Sequence, residues 1–551
     1  MTNNSPTSTE EHPEIATLRS AAPEATNKDL PGPARSEPSS ITLLKKWFSF
    51  PAFLGAILVA ANFAIVRGLR LDPDTWWHLK YGDMILQTGR WPTVDTWSFT
   101  VHGMPRIAYE WGGEVLTALA YRMGGLRGMD VLLITLTSII VILTYYFAWL
   151  RCRNSYAAFF ATFILLPIAV LCFTLRPQLI GYIFLLVTLI LLERFRLGEQ
   201  KNLWAVPVIF LLWVNTHGTF VLGFMVLGLY WLSGLVSFES GGLYAVRWRP
   251  EQRLHIETVG LLSVAVLPLT PYGTRLAAVP LSVIPSPPLN FYHVAEWQPI
   301  NTDFWQAKLL LIFLFGFILA QCAFRFRYRL EELSLFLIGL YAAFVHVRFV
   351  ILLAIIFAPL LASIFVPWAP AYDPRKDKYV LNAALTFVAM VAFVMFIPSE
   401  TALQKNISKD NPVKAVRYIQ EHPALGRMFN SYNFGGYLVW SLTLQRKVFI
   451  DGRGDVYDWA GVFSDYADVV DLKPDALAVL QSYRVDFCLI RPQGALATLL
   501  RGTSDWKEIY TDTVSAIFVR RATRSPLPHS SRSIGLIQGR TPWEYKSFPR
   551  S

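Results

Sequence analysis

WFSFPAFLGAILVAANFAIVRGLRLDPDTWWHLKYGD, Trp47 to Asp83, decides how this chain folds. Its first half, Trp47 to Val66, is almost wholly apolar over about twenty residues, the length of helix that crosses a bilayer. Its second half turns acidic and aromatic at once, with Asp72, Asp74, Trp76, Trp77 and Asp83. Asp followed by Pro is what a helix start prefers, the carboxylate on free amides and the proline in the first turn. Asp74 would then complement the helix dipole. The helix predicted from there runs to about Gln87, sets Trp77, Tyr81, Met84 and Ile85 along one stripe, and stops near Gly89 with Pro92 beyond. It is expected to lie on the membrane surface. A cap explains Asp72 well and Asp74 only weakly.

The composition agrees with a membrane span. Of 551 residues, 53% are hydrophobic and 14% aromatic, and only 16% are charged, against about 25% in an average soluble protein. The formal net charge of +11 does not point to nucleic acid, because Lys and Arg lie in short clusters between apolar runs, where membrane topology places them. Membrane lipids are the expected surroundings. Cys152, Cys172, Cys322 and Cys488 are scattered and offer neither a disulfide framework nor a zinc spacing. Residues 1–46, rich in Pro, Ser, Thr and Glu, read as a disordered cytoplasmic N-terminus. They are too polar and too long for the start of a cleaved signal peptide, so the first span reads as a retained anchor.

Further apolar runs follow at Val131–Leu150, Ala157–Leu175, Leu179–Leu192, Leu203–Val214, Thr219–Val236, Ile256–Leu269, Leu309–Phe324, Leu333–His346, Phe349–Val366 and Val380–Ile397. With the first they make about eleven spans, some short enough to be broken or tilted. Alternate loops carry the basic residues: Lys45 and Lys46; Arg151 and Arg153; Arg194, Arg196 and Lys201; Arg247, Arg249 and Arg253; Arg325, Arg327 and Arg329; Arg375, Lys376 and Lys378. That pattern sets the N-terminus inside; Arg67 and Arg70 dissent. An odd number of spans then puts everything after Ile397 outside. The expected fold is a polytopic α-helical membrane protein. Its transmembrane module covers 47–397 with a long first outer loop, 67–130; a small extracytoplasmic α/β domain covers 398–523, and a loose tail 524–551. In the α/β domain Asn411 and Pro412 open a helix, another runs from Pro474 to Tyr483, and strands are expected at Lys447–Asp451, Asp486–Ile490 and Ala516–Val519.

The ends of the spans on the outer side gather the polar residues. The first loop holds Asp72, Asp74, Trp76, Trp77, His78, Asp95, Glu110, Trp111 and Glu114; other turns read LRPQ (175–178), NTHG (215–218), TPYGTR (270–275), AEW (295–297) and HVR (346–348). A charge at mid-bilayer costs about 3 kcal/mol or more, so Arg176 and Arg348 at helix ends fit a wet cavity. Plainer readings stand beside this one. Single arginines snorkel to headgroups, tryptophans form interfacial belts, and a lone His217 or His346 is more often a satisfied core histidine. The convergence of separate segments is the stronger signal.

In layout the chain resembles the GT-C glycosyltransferase superfamily, membrane enzymes that use polyprenyl-phosphate-linked sugars. The shared features are a first span followed at once by a long outer loop with an acidic pair, surface helices in that loop, and many further spans. The acidic motif maps to Asp72 and Asp74. The Trp-Trp-Asp motif that oligosaccharyltransferases carry in their soluble domain is missing, and the layout is closer to protein O-mannosyltransferases and lipid A aminoarabinose transferases. The resemblance implies an enzyme of a bacterial inner membrane that moves a sugar, with inversion, from a polyprenyl-phosphate donor to a lipid, glycan or protein acceptor. Asp72 or Asp74 would be the base, or would bind a divalent cation, Mg or Mn. Arg176, His217, Arg275 and Arg348 would hold the donor phosphate, while Trp76, Trp77, His78, Glu110, Trp111, Glu296 and Trp297 would meet sugar or acceptor. The stretch DGRGDVY (451–457) follows an expected strand where α/β domains bind ligands, though a plain Gly/Asp turn is favoured.

Three other readings compete. A transporter or flippase would place ionisable residues inside spans, where this sequence has few. A non-catalytic assembly or sensor protein would not need so elaborate a first loop. An O-antigen-ligase-type transferase would carry its working loop late and make it basic.

Overall fold

The computed structural model describes residues 45, 47–283, 294–324, 326–442 and 445–521. The chain divides into two units, Met1–Trp47 and Phe48–Ser551. Lys45 and Trp47 are described in the first, so the expected disorder of 1–46 and of 524–551, and the basic Lys46 and Arg325, lie outside the described residues. The helix bundle and both sheets belong to the second unit.

The apolar runs of the sequence are helical over most of their length. In chain order the first helices are α1 (Phe50–Val66), α2 (Thr75–Thr88), α3 (Trp111–Cys152), α4 (Ser155–Ala169), α5 (Gln178–Arg196), α6 (Ala205–Val214), α7 (Phe220–Ser233) and α8 (Pro250–Ala265). They continue as α9 (Thr274–Val283), α10 (Trp305–Ala323), α11 (Leu330–Val345), α12 (Val350–Phe365) and α13 (Tyr379–Phe396). Among the described residues, 6 helical segments are long and apolar enough to cross a membrane by length and composition: Trp111–Cys152, Ser155–Cys172, Gln178–Arg196, Trp305–Ala323, Val347–Trp368 and Tyr379–Phe396. Helices α1, α6 and α7 are apolar but shorter. The remaining runs of the about eleven expected, several of them expected to be short, broken or tilted, form shorter helices. One cause is the NTHG turn, where Asn215 and Thr216 bend back to bond the carbonyls of Leu211 and Leu212 and end α6 after 10 residues. Helix α12 is buried from Val350 through Ala362, as suits a helix apolar all round. In α13 Asn382 is the buried residue, leaving an apolar surface that protein does not cover.

Helix α3 is 42 residues long, and it breaks at Gly124–Gly125, where Gly125 adopts φ 58°, ψ −141°. The left-handed half of the map is open to glycine at little cost. The limb before the break packs along α2; the limb after it enters the bundle, and its Asp130 accepts the amides of Gly68 (3.1 Å) and Leu69 (2.7 Å). Basic residues of several alternate loops come together at one end of the bundle in ion pairs such as Arg151–Glu332, Arg329–Glu193 and Arg196–Glu331. At the same end a small sheet joins β1 (Phe238–Ser240), β2 (Leu243–Ala245) and β3 (Tyr328–Arg329).

After α13 come α14 (Glu400–Ile407), α15 (Val413–Glu421), α16 (Tyr432–Leu442), α17 (Gly454–Trp459), α18 (Val462–Val470), α19 (Ala476–Ser482) and α20 (Ala495–Gly502). They surround a sheet of β4 (Met428–Asn430), β5 (Phe487–Ile490), β6 (Trp506–Thr511) and β7 (Ala516–Arg520) in the order β4-β5-β7-β6. β4 and β5 run parallel; the other pairs are antiparallel.

Three sequence expectations need correcting here. Lys447–Asp451 is no strand of this sheet. Val448, Phe449 and Ile450 are fully buried, with a bend at Phe449; the Asn430 side chain takes the Phe449 amide and bonds the Ile450 carbonyl, while Val448 pairs with Trp97 and Phe99 of the first loop. An apolar run looks the same whether a strand or a side chain satisfies its backbone. Asn411 does not cap α15; its side-chain amide donates to the Ile407 carbonyl. Finally, α2 ends at Gly89 in the left-handed conformation, as expected, but its Trp76, Trp77, His78, Leu79, Tyr81 and Ile85 are all buried. It is wedged between α3 and α16 rather than spread on a surface.

Candidate active site

The turn before α2 brings the acidic pair to the bundle end. Asp72 does not cap α2 as expected, since the helix begins at Thr75 with Asp74 at its N-cap; the Asp72 carboxylate instead closes the preceding turn by accepting the Asp74 amide (2.9 Å), and the Thr75 hydroxyl donates to the Leu175 carbonyl (2.8 Å) while the Leu175 amide donates to the Arg70 carbonyl (3.2 Å). These bonds lay the LRPQ turn on the acidic pair. Arg176 consequently reaches three carboxylates: Nη2 lies 2.9 Å from Asp74 Oδ2, and Nη1 lies 3.6 Å from Asp72 Oδ2 and 2.6 Å from Glu296 Oε2. The other oxygen of Glu296 is 3.3 Å from Arg348 Nη1. Arg348 also donates to Gln178 (3.1 Å) and lies 4.0 Å over the Trp297 ring, a cation–π contact.

Five groups from four segments thus form one chain of alternating charge, Asp72 and Asp74, Arg176, Glu296, Arg348. Three carboxylates facing two guanidiniums leave an excess of negative charge. Burial pushes the Asp72 carboxyl above its ordinary range, against Arg176 and with help from Glu296. Burial likewise pushes Asp74 up, to about 8, against Arg176 and with help from Asp72 and Glu296. Burial would raise Glu296 too, but Arg176 and Arg348 outweigh it and hold Glu296 low. The two aspartates differ in access. Asp74 Oδ1 takes the Trp77 indole N–H (3.1 Å) and its Oδ2 takes Arg176. Asp72 Oδ2 has only the long contact to Arg176, and its side chain is 23% exposed against 15% for Asp74.

Beside this chain lies a second buried cluster. His78 Nε2 is 3.3 Å from Glu110 Oε2 and its Nδ1 is 3.2 Å from Glu114 Oε1, while His217 Nε2 is 3.1 Å from Glu110 Oε1. The Thr219 amide donates to His217 Nδ1 (3.0 Å), so Nδ1 is an acceptor and the Nε2 proton points at Glu110. Burial, with a smaller opposing pull from Glu110, drives His78 down to about 3. Burial would raise Glu110, yet His217 and His78 bring it down to about 2. Between about 6.5 and 3 an unfolded His78 takes a proton that the folded one refuses, so stability is lost as pH falls through that window. Glu110 adds a loss from about 4.3 down to 2. Asp72 and Asp74, raised by burial, act in the opposite sense over part of this range, so the His78 share is read by comparison with His78→Gln. The thermal midpoint of the native chain minus that of His78→Gln is expected to shrink as pH falls from about 6.5 to 4.5, and a constant difference would remove the His78 share.

A third group of residues comes from beyond α13, from a stretch that the sequence presents chiefly as a turn. Arg453 is fully buried: it bonds Asp451 through Nε (2.8 Å) and Nη2 (2.6 Å), Tyr81 through Nη1 (2.9 Å), and Asp95. Arg106 holds both oxygens of Asp455 at 2.7 and 2.8 Å. Tyr432, at the start of α16, makes no side-chain hydrogen bond to a described residue; burial first, then Asp74, Asp451 and Glu296, keep its phenol well above its ordinary range. It therefore stays a hydrogen-bond donor in the field of the acidic pair. Nothing around Tyr432 in the sequence announces this; the signal that was available is the density of Gly, Asp and Arg at 451–455.

Asp72, Asp74, Arg176, Glu296, Arg348 and Trp297 thus stand together, with His78, Glu110 and His217 adjoining them. Trp77 serves by its N–H rather than its face. The expected contact of Trp76 with a sugar is closed off: the residue is 1% exposed and packed on Tyr437 and Trp440 at 5.1 and 4.9 Å between ring centroids. Trp111 donates to Asn215 (2.9 Å) and meets Trp91 edge-on, fixing the start of α3 against the NTHG turn. Arg275 is exposed on α9 and makes no ion pair with the acidic residues among the described ones. Arg176 contacts both carboxylates, and among the described residues no group of three His, Cys, Asp or Glu is placed to hold a metal.

No family model matches this chain, and no curated protein does. Solved structures do. One is the oligosaccharyltransferase of Archaeoglobus fulgidus tethered with an acceptor peptide containing the NVT sequon (TM-score 0.48, 13% identity, 88% of this chain and 75% of that one). Another is AglB from the same organism with an inhibitory peptide and a dolichol-phosphate (TM-score 0.48, 12% identity, 86% and 74%). A third is ArnT from Cupriavidus metallidurans bound to undecaprenyl phosphate (TM-score 0.39, 12% identity, 90% and 100%). These are GT-C glycosyltransferases.

Proposed function

We propose that this chain is a membrane glycosyltransferase that moves a sugar from a polyprenyl-phosphate donor to a hydroxyl of a lipid, glycan or protein acceptor. The observation that carries the reading is the pairing of Arg176 and Arg348, linked by Glu296, directly against the two aspartates. Guanidinium groups match phosphate oxygens with parallel bonds. A donor phosphate entering this place would exchange with Glu296, whose two oxygens already bind the arginines as phosphate oxygens would.

Asp72 is the base in this proposal. Its Oδ2 is the least engaged oxygen of the pair, and a carboxylate raised by burial is a better proton acceptor than a free one. The acceptor hydroxyl gives its proton to Asp72 Oδ2 while its oxygen attacks the anomeric carbon from the side opposite the phosphate. The bond from that carbon to the phosphate oxygen breaks, and the lipid phosphate leaves with its charge on Arg176 and Arg348. Transfer is therefore inverting. Asp74 holds Arg176 in register, and no step passes through a metal.

In this reading the site faces the extracytoplasmic side of a bacterial inner membrane, with the N-terminus cytoplasmic and residues 398–523 as an extracytoplasmic α/β domain; the positive-inside pattern of the loops supports the orientation. Tyr432, supplied by that domain, is placed to donate to the bound donor. Tyr432→Phe is expected to lower transfer about tenfold, the worth of one hydrogen bond to a charged group, with thermal stability unchanged. A loss of stability without loss of transfer would make it a packing residue.

The test uses the purified full-length chain in lipid vesicles with undecaprenyl- and dolichol-phosphate sugars, the lipid phosphates bound in two of the structures above. Release of the lipid phosphate, with the sugar on an acceptor or on water, is the expected result. A chain that releases none and does not bind the lipid phosphate would end the proposal.

A further inference from the structure

The stretch DGRGDVY is left without a role by the reaction above, yet its glycine touches the acidic pair. A Cβ built on Gly452 would collide with Asp74 Oδ1 and stand 2.9 Å from Trp77 Nε1. The backbone of the turn therefore lies directly on the carboxylate and leaves no room for a methyl group. We infer that the turn 451–454 is a positioning element that holds Asp74 against Arg176, so that the geometry of the acidic pair is set from the far end of the chain.

The turn itself has no freedom to give way. Asp451 Oδ1 accepts the Arg453 amide (3.0 Å), the Tyr457 hydroxyl donates to Asp451 Oδ2 (2.8 Å), and Arg453 reaches across to Tyr81 and Asp95. Arg106 grips Asp455 from the first loop. A second close contact fixes the approach from the other side: a Cβ on Gly436 of α16 would collide with the Pro73 carbonyl, in the turn that carries both aspartates. Asp74 is thus closed in by Trp77, Arg176 and Gly452. The plainer reading, a Gly/Asp turn that only reverses the chain, explains the bonds within 451–457 but neither the two cross-links to the first loop nor the fit of Gly452 on Asp74.

The inference rests on the proposed reaction only where transfer is measured, so its test has a readout of its own. Dicyclohexylcarbodiimide labels protonated carboxyl groups in apolar surroundings, and mass spectrometry of the peptide carrying Asp74 follows that labelling with pH in the full chain in detergent. In the native chain labelling of Asp74 should fade as pH rises through about 8. Gly452→Ala should move that midpoint down by about one unit or more, because a displaced carboxylate gains water, and should cut transfer at least about tenfold. An unchanged labelling curve in Gly452→Ala overturns the inference, whether or not the native chain transfers sugar. A shifted curve in a chain without transferase activity supports positioning while the reaction fails. Should Gly452→Ala not fold, Asp74→Gly/Gly452→Ala removes the clashing carboxylate. Recovery of folding in the double variant supports the contact, and failure to recover overturns it.

Discussion

Asp72→Asn is expected to lower the rate of sugar transfer by about 10² to 10⁴, the usual worth of a general base. The amide keeps the size of the carboxylate, and its oxygen can still accept the Asp74 amide, so the turn before α2 should hold. The loss should fall on kcat, with KM for the donor little changed, because in the proposed reaction Asp72 acts on the acceptor hydroxyl and not on the phosphate. Asp74→Asn should behave differently. It weakens the hold on Arg176 and should raise KM for the lipid donor along with its effect on kcat. Steady-state transfer with a labelled donor, acceptor held saturating, separates the two patterns. Full activity in Asp72→Asn would move the role of base to Asp74, and full activity in both would remove the catalytic reading of the pair.

Arg453→Met should be the most damaging substitution for stability. The methionine fits the space, but it leaves Asp451 and Asp95 buried without their cation and the Tyr81 and Tyr457 hydroxyls short of a partner. Breaking a buried pair in this way costs about 3–5 kcal/mol. Because Arg453 ties the turn 451–454 to the first loop, the damage should localise. Proteolysis of the segment after α13 should quicken before the helix bundle loses its ellipticity. Arg453→Met/Asp451→Asn/Asp95→Asn, which removes the stranded charges as well, should recover part of the loss; a triple variant as unstable as the single one would show that shape rather than charge is at fault.

Part of the charged chain is readable from sequence for a clear reason. A charge beside a long apolar run is costly unless it finds a partner or water, so Asp72, Arg176 and Arg348 stand out at the ends of their runs, whereas Glu296 lies in a long connection and its bridging of two arginines is not readable. The roles of the aromatic residues are not readable. Trp76 and Trp77 look alike as neighbours in one helix, yet one packs on Trp440 and the other lends its N–H to Asp74. The turn 451–454 reads as a local reversal because its residue types suit one, and a sequence window cannot show that Arg453 finds partners 358 and 372 residues away. Val448–Ile450 misleads for a related reason: a buried irregular segment and a strand share one apolar pattern, and here the Asn430 side chain satisfies the backbone.

The separation of those partners also bears on how the protein is made. Tyr81 leaves the ribosome 372 residues before Arg453. At bacterial or eukaryotic synthesis rates this is a delay on the order of 20 to 70 s. During that interval the early loop, its two aspartates included, lacks the turn proposed to seat them. On the proposed reaction, a nascent chain is expected to be inert toward lipid-linked sugar until residues 451–455 have been translated and have docked, and a product truncated before them is expected to be inactive.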